Sequence, residues 1–112
     1  MKIYYVRNTD NEKFACVAVV KSAAPGRVHR GVSICSIQDT FSKKIARTIA
    51  TGRLCKAITE GRSGRPVQMD PKKANVAPLE FSHIFPVFGI VYKSAFDVEA
   101  TSFELKLFDK GK

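Results

Sequence analysis

Ser36-Ile37-Gln38-Asp39-Thr40-Phe41-Ser42-Lys43-Lys44-Ile45-Ala46-Arg47-Thr48-Ile49-Ala50-Thr51 decides the reading of this chain. Ser36 followed three residues later by Asp39 is a variant of the capping box that opens helices, with Asp in place of Glu or Gln. From Phe41 onward the apolar residues Phe41, Ile45, Ala46, Ile49 and Ala50 fall at helical spacing, with Lys43, Lys44, Arg47 and Thr51 opposite them. The spacing predicts an amphipathic helix with one basic face. Past Gly52 the pattern changes register, because Arg53 and Lys56 then project onto the Ile45/Ile49 side. Glycine is a poor helix former, so a kink or restart is expected there.

The flanking segments read as strands. Lys2 to Arg7 is rich in aromatic and β-branched residues and ends at the turn formers Asn8-Thr9-Asp10-Asn11. Lys13 to Lys21 is a near-continuous apolar run of strand length, suited to a hairpin with the first strand. Pro25-Gly26 breaks the pattern, and Arg30 to Cys35 offers a third strand. After the helical region, Gly61 suits a C-terminal cap, and a long loop is expected over about 61–80, with Pro66, Pro71 and Pro78. Val87 to Tyr92 and Ser102 to Phe108 read as two further strands, the latter because Phe103, Leu105 and Leu107 alternate with Glu104 and Lys106. The expected architecture is α+β: a single domain over 1–112 with an antiparallel sheet of about five strands, packed on one face by one long, kinked helix.

A chain of 112 residues with 45% hydrophobic content suits one modest core. The N-terminus turns polar too soon for a signal peptide, and no run approaches the roughly 20 apolar residues of a membrane span, so a cytoplasmic protein is expected. Cys16, Cys35 and Cys55 form no paired spacing, which points to free thiols and away from disulfides or zinc. His29 and His83 stand alone in sequence, and the glycines match neither a phosphate loop nor a dinucleotide fingerprint. No enzymatic activity, metal or cofactor is expected.

The net charge is +9, and its distribution carries the functional reading. Lys13 to Lys73 holds 13 Lys or Arg against Asp39, Glu60 and Asp70, whereas residues 1–12 balance and residues 74–112 sum to −1. A one-signed region of this kind steers a polyanion or an acidic protein surface towards it. Five arginines adjoin glycines, at Gly26-Arg27, Arg30-Gly31, Gly52-Arg53, Gly61-Arg62 and Gly64-Arg65. The planar guanidinium fork matches phosphate oxygens, and a neighbouring glycine opens the backbone to close contact. Gly64-Arg65-Pro66 resembles part of the AT-hook core, with Ser63 where its first arginine would stand; a simple loop with a proline exit is the favoured reading.

The stretch from Gly31 to Arg53 resembles a pattern in small uncharacterised accessory proteins of tailed phages: Cys35-Ser36, then Asp39-Thr40-Phe41-Ser42-Lys43-Lys44, then Arg47-Thr48-Ile49-Ala50-Thr51-Gly52-Arg53. The resemblance implies a product that acts on nucleic acid or on a host or defence protein, as anti-CRISPR, other anti-defence and host-polymerase inhibitors do. The expected binding residues are Lys43, Lys44, Arg47, Arg53, Lys56, Arg62 and Arg65. The expected partner is DNA or RNA, bound without strong sequence specificity, with an acidic host or defence protein as the alternative. Surface shape separates the two. A groove lined by Arg47, Arg53, Arg62 and Arg65 favours nucleic acid, whereas a patch mixing them with exposed apolar side chains favours a protein.

Overall fold

The computed structural model describes residues 1–7, 13–34, 42–68 and 90–109. Strands β1 (Lys2–Arg7), β2 (Lys13–Lys21) and β3 (Arg27–Ile34) come first, followed by helix α1 (Lys43–Glu60). Short strands β4 (Pro66–Gln68) and β5 (Ile90–Tyr92), then β6 (Ser94–Glu99) and helix α2 (Ser102–Asp109), complete the order. The main sheet has four antiparallel strands in the order β1-β2-β3-β6, and β4 and β5 form a separate antiparallel ribbon. The class is α+β, as expected.

The near-continuous apolar run of β2 is explained by burial on both faces. Ala15, Val17 and Val19 join Tyr4, Val6, Val28 and Val32 in one core, against which Leu107 and Phe108 of α2 pack. Cys16 and Ala18 face the other way, under Ala46, Ala50 and Leu54 of α1. The single-sided packing expected from sequence is thus corrected: a helix covers each face of the sheet.

Three further readings change. Ser102 to Phe108 is helical. Thr101 and Glu104 form a reciprocal capping box, the Glu104 N–H donating to Thr101 Oγ1 at 3.1 Å and the Thr101 N–H to Glu104 Oε1 at 3.0 Å. That Thr-x-x-Glu signal outweighs the period-two alternation. Ser94–Glu99, not read as a strand, pairs with β3, with Phe96 and Asp97 bulged opposite His29. The third change concerns α1, which is one continuous helix through Gly52, and whose buried residues are Ala46, Ala50, Leu54 and Ala57. Ile45 and Ile49, expected in the core, are exposed at 61% and 38%. The alanine face keeps its register across residue 52, so no kink is needed. The Ser36/Asp39 box lies outside the described residues; the helix cap is Ser42, whose Oγ accepts the Ile45 N–H at 3.4 Å.

The reason for this rotation of α1 is Gly31. A β-carbon at that position would lie 2.0 Å from the Ala50 carbonyl oxygen and 2.3 Å from the Leu54 nitrogen, so the helix backbone rests directly on the strand. So close a contact favours small side chains: three of the four buried residues of α1 are alanines, with Leu54 the exception, and the isoleucines lie on the flank.

On the opposite face, Glu104 is fully buried. Its carboxylate accepts from the Tyr4 hydroxyl at 2.9 Å, from Arg30 Nε at 2.9 Å and from Arg30 Nη2. Burial and the neighbouring Glu104 charge push the Tyr4 phenol well above its ordinary pKa, so it stays protonated as the donor this network needs. Two predictions follow from these contacts. Gly31→Ala should lower unfolding free energy by about 3 kcal/mol in urea titration. Glu104→Ala should cost about 3–5 kcal/mol by leaving Arg30 buried without its carboxylate, and the paired change Arg30→Met with Glu104→Leu should recover much of that loss.

Candidate functional site

The exposed surface of α1 and the turn that follows it hold the residues expected to bind. Lys43, Lys44 and Arg47 are exposed in the first turns of the helix, Lys56 is exposed in its second half, and Arg62 and Arg65 are exposed beyond the cap. Gly61 supplies that cap in the left-handed conformation, its N–H donating to the Ala57 carbonyl at 2.9 Å. Lys43 Nζ lies over the Tyr5 ring, 5.5 Å from its centroid, which ties the start of the helix to β1.

The seven cations do not share one face. Arg53 turns towards the sheet, where its Nη1 donates to the Val32 carbonyl at 2.6 Å, and partial burial lowers its pKa from the ordinary value. Lys56 falls about 180° around the helix from Arg47. What the structure does bring together is a mixed surface. Ile45 and Ile49 are exposed beside Lys44, Thr48, Gly52 and Lys56, while Ile58 is 45% exposed further along. The first turn contains no acidic residue, and Glu60 is the first carboxylate in the helix. Sequence reasoning placed Ile45 and Ile49 in the core. The signal that reveals them is the smallness of the Ala46/Ala50/Ala57 row, which suits a closer neighbour than isoleucine permits.

The Gly-Arg turn is anchored. Ser63 Oγ accepts the Phe96 N–H at 2.9 Å, and the Gly64 N–H donates to the Ser94 carbonyl at 2.6 Å. Ser63 therefore acts as a tether to β6, and Pro66 opens β4, so residues 61–65 form a fixed turn rather than the start of a long loop. The rest of the expected loop, 69–80, lies outside the described residues, as do Cys35 and His83.

A second polar cluster surrounds the β6 bulge. Asp97, at φ 50°, takes a hydrogen bond from Ser22 Oγ at 2.8 Å and pairs with Arg27 Nε at 3.1 Å, while its N–H donates to His29 Nδ1 at 2.9 Å. His29 also stacks on Phe96 with ring centroids 4.4 Å apart. These bonds join the turn after β2 to the bulge, so His29 is engaged in backbone support. Among the described residues no group of three or more His, Cys, Asp or Glu could hold a metal ion. Burial pushes the Cys16 thiol up to about 11, while Cys55 is exposed on α1. No described helix is long and apolar enough to cross a membrane. No protein-family model matches the chain, and neither a curated protein nor a solved structure does.

The Ser22 hydrogen bond, followed by Arg27, holds the Asp97 carboxyl below its ordinary 3.8. A depressed carboxylate contributes stability that is complete above the unfolded value and is lost as pH falls through the folded one. The stability difference between wild type and Asp97→Asn should therefore be larger at pH 7 than below that range, as read from urea midpoints. Asn tolerates the same positive φ, so the comparison isolates the charge. A difference independent of pH would contradict the assignment.

Proposed function

We propose that this chain is a binding module that docks on an acidic surface of another protein through the solvent face of α1, and that in the tailed-phage setting its partner is a host or defence protein. The observation that supports this reading is the exposure of Ile45 and Ile49 beside basic residues, in a helix with no carboxylate before Glu60. Protein interfaces combine an apolar centre with a polar rim, and here Lys44 and Lys56 supply the rim. Interfaces with nucleic acid are more polar and more uniformly positive. The inward turn of Arg53 and the position of Lys56 opposite Arg47 interrupt any single line of cations along a phosphate backbone.

One observation favours a second reading, nucleic-acid binding. Lys43 and Lys44 occupy the first turn of α1, where cations oppose the helix dipole at a cost of about 0.3–1 kcal/mol each. Together with the positive end of the helix dipole they make an electropositive point suited to a phosphate.

Affinity capture from nuclease-treated host lysate separates the two. The protein-binding reading expects one stoichiometric protein, with recovery reduced at least about tenfold by the triple change Lys44→Glu, Arg47→Glu and Lys56→Glu. Loss of every protein after nuclease, combined with anisotropy showing DNA or RNA bound at about 50 mM salt, would sink it and favour nucleic acid.

A further inference from the structure

Gly52 lies in the interior of α1, exposed, with nothing within 4 Å of the place a β-carbon would occupy. In such a position glycine costs about 1 kcal/mol relative to alanine. Among the other described glycines, Gly26 and Gly61 have positive φ, Gly31 meets the helix backbone, and Gly64 lies at ordinary contact distance, 3.4 Å, from Ser94 Cβ. The space above Gly52 is open, on the solvent side of α1.

Its neighbours define that space. Ile45 and Ile49 form an i, i+4 ridge, and Thr48, Gly52 and Lys56 form the adjoining i, i+4 row. Thr48 and Gly52 make that row a shallow groove beside an apolar ridge. Rows of this kind are what a second helix packs into when two helices cross. The charges around the groove are Lys44 and Lys56, and no carboxylate lies on α1 before Glu60. A second copy of this surface would bring like charges together, whereas an acidic element complements it.

Resting on the protein-binding reading above, we infer that α1 receives an acidic amphipathic helix of its partner, which crosses at Gly52 with its apolar residues against Ile45 and Ile49. The glycine sets how closely the two backbones approach, and the lysines select acidic residues at the rim. A side chain at residue 52 fills the groove and holds the partner helix away.

The test uses the whole chain and a defined probe: a fluorescent peptide of about 20 residues, with Leu at i, i+3, i+4 and i+7 and Glu and Ala elsewhere, beside a scrambled peptide of equal composition. Anisotropy titrations should show the ordered peptide binding at least about tenfold more tightly than the scrambled one. Gly52→Leu should weaken that binding at least about tenfold, and Gly52→Ala less than about threefold. Thermal melting monitored by circular dichroism should show both variants folded, with Gly52→Ala melting above wild type.

Equal binding of the two peptides, no binding of the ordered one, or full binding by Gly52→Leu would overturn the inference. If Gly52→Leu is neutral while Lys44→Glu with Lys56→Glu abolishes peptide binding, only the crossing at Gly52 fails. If the charge reversal is also without effect, the reading of α1 as a basic docking face fails with it.

Discussion

The contact between Gly31 and the backbone of α1 constrains everything placed on that side of the sheet. A β-carbon 2.0 Å from the Ala50 oxygen is impossible without moving the helix, so the strand must carry glycine there. The short distance in turn requires a helix face of alanines, with Leu54 as its one large buried residue. Ile45 and Ile49 lie outside that face, on the side of the helix turned to solvent. A packing requirement in β3 thus determines the chemistry of the surface presented by α1.

The other face is built on different physics. There the core is mostly valine from β1, β2 and β3, and the short helix α2 is held by Glu104 as well as by Leu107 and Phe108. One carboxylate receives Tyr4 from β1, Arg30 from β3 and the Thr101 N–H from its own helix start. A buried ion pair contributes little net stability when compared with apolar substitutes, because desolvation offsets its attraction. Its effect here is to fix the position of α2, since rotation of that helix would take the Glu104 carboxylate away from Tyr4 and Arg30. Residues near the two ends of the described chain are joined through this single group.

Much of this fold was legible in the sequence. The β-branched and aromatic run at Lys2–Arg7, the apolar run of β2 and the Pro25-Gly26 break gave the three-stranded antiparallel unit, and the amphipathic pattern gave α1. The orientation of α1 was not legible, because isoleucine and alanine both count as apolar in a periodicity argument while only size distinguishes which of them fits over Gly31. The helix α2 was hidden by a chance alternation of Phe103, Leu105 and Leu107, although Thr101 and Glu104 carried a capping signal. β6 was missed because Asp97 interrupts its pattern at a bulge. Of the candidate site, the exposed cations Lys43, Lys44, Arg47, Lys56, Arg62 and Arg65 were found from charge alone. The inward use of Arg53 and the outward position of the isoleucines required the tertiary contact.

The functional reading therefore depends on which side of α1 faces water. If the alanine row is inside, the isoleucines form part of an external surface and contribute little to stability. Measuring the unfolding free energy of the double variant Ile45→Gln, Ile49→Gln tests this most directly. The account predicts a value within about 1 kcal/mol of wild type, as for exposed positions. A loss above about 4 kcal/mol, as for two truncated core residues, would mean that the helix packs on its isoleucine face and would contradict the account.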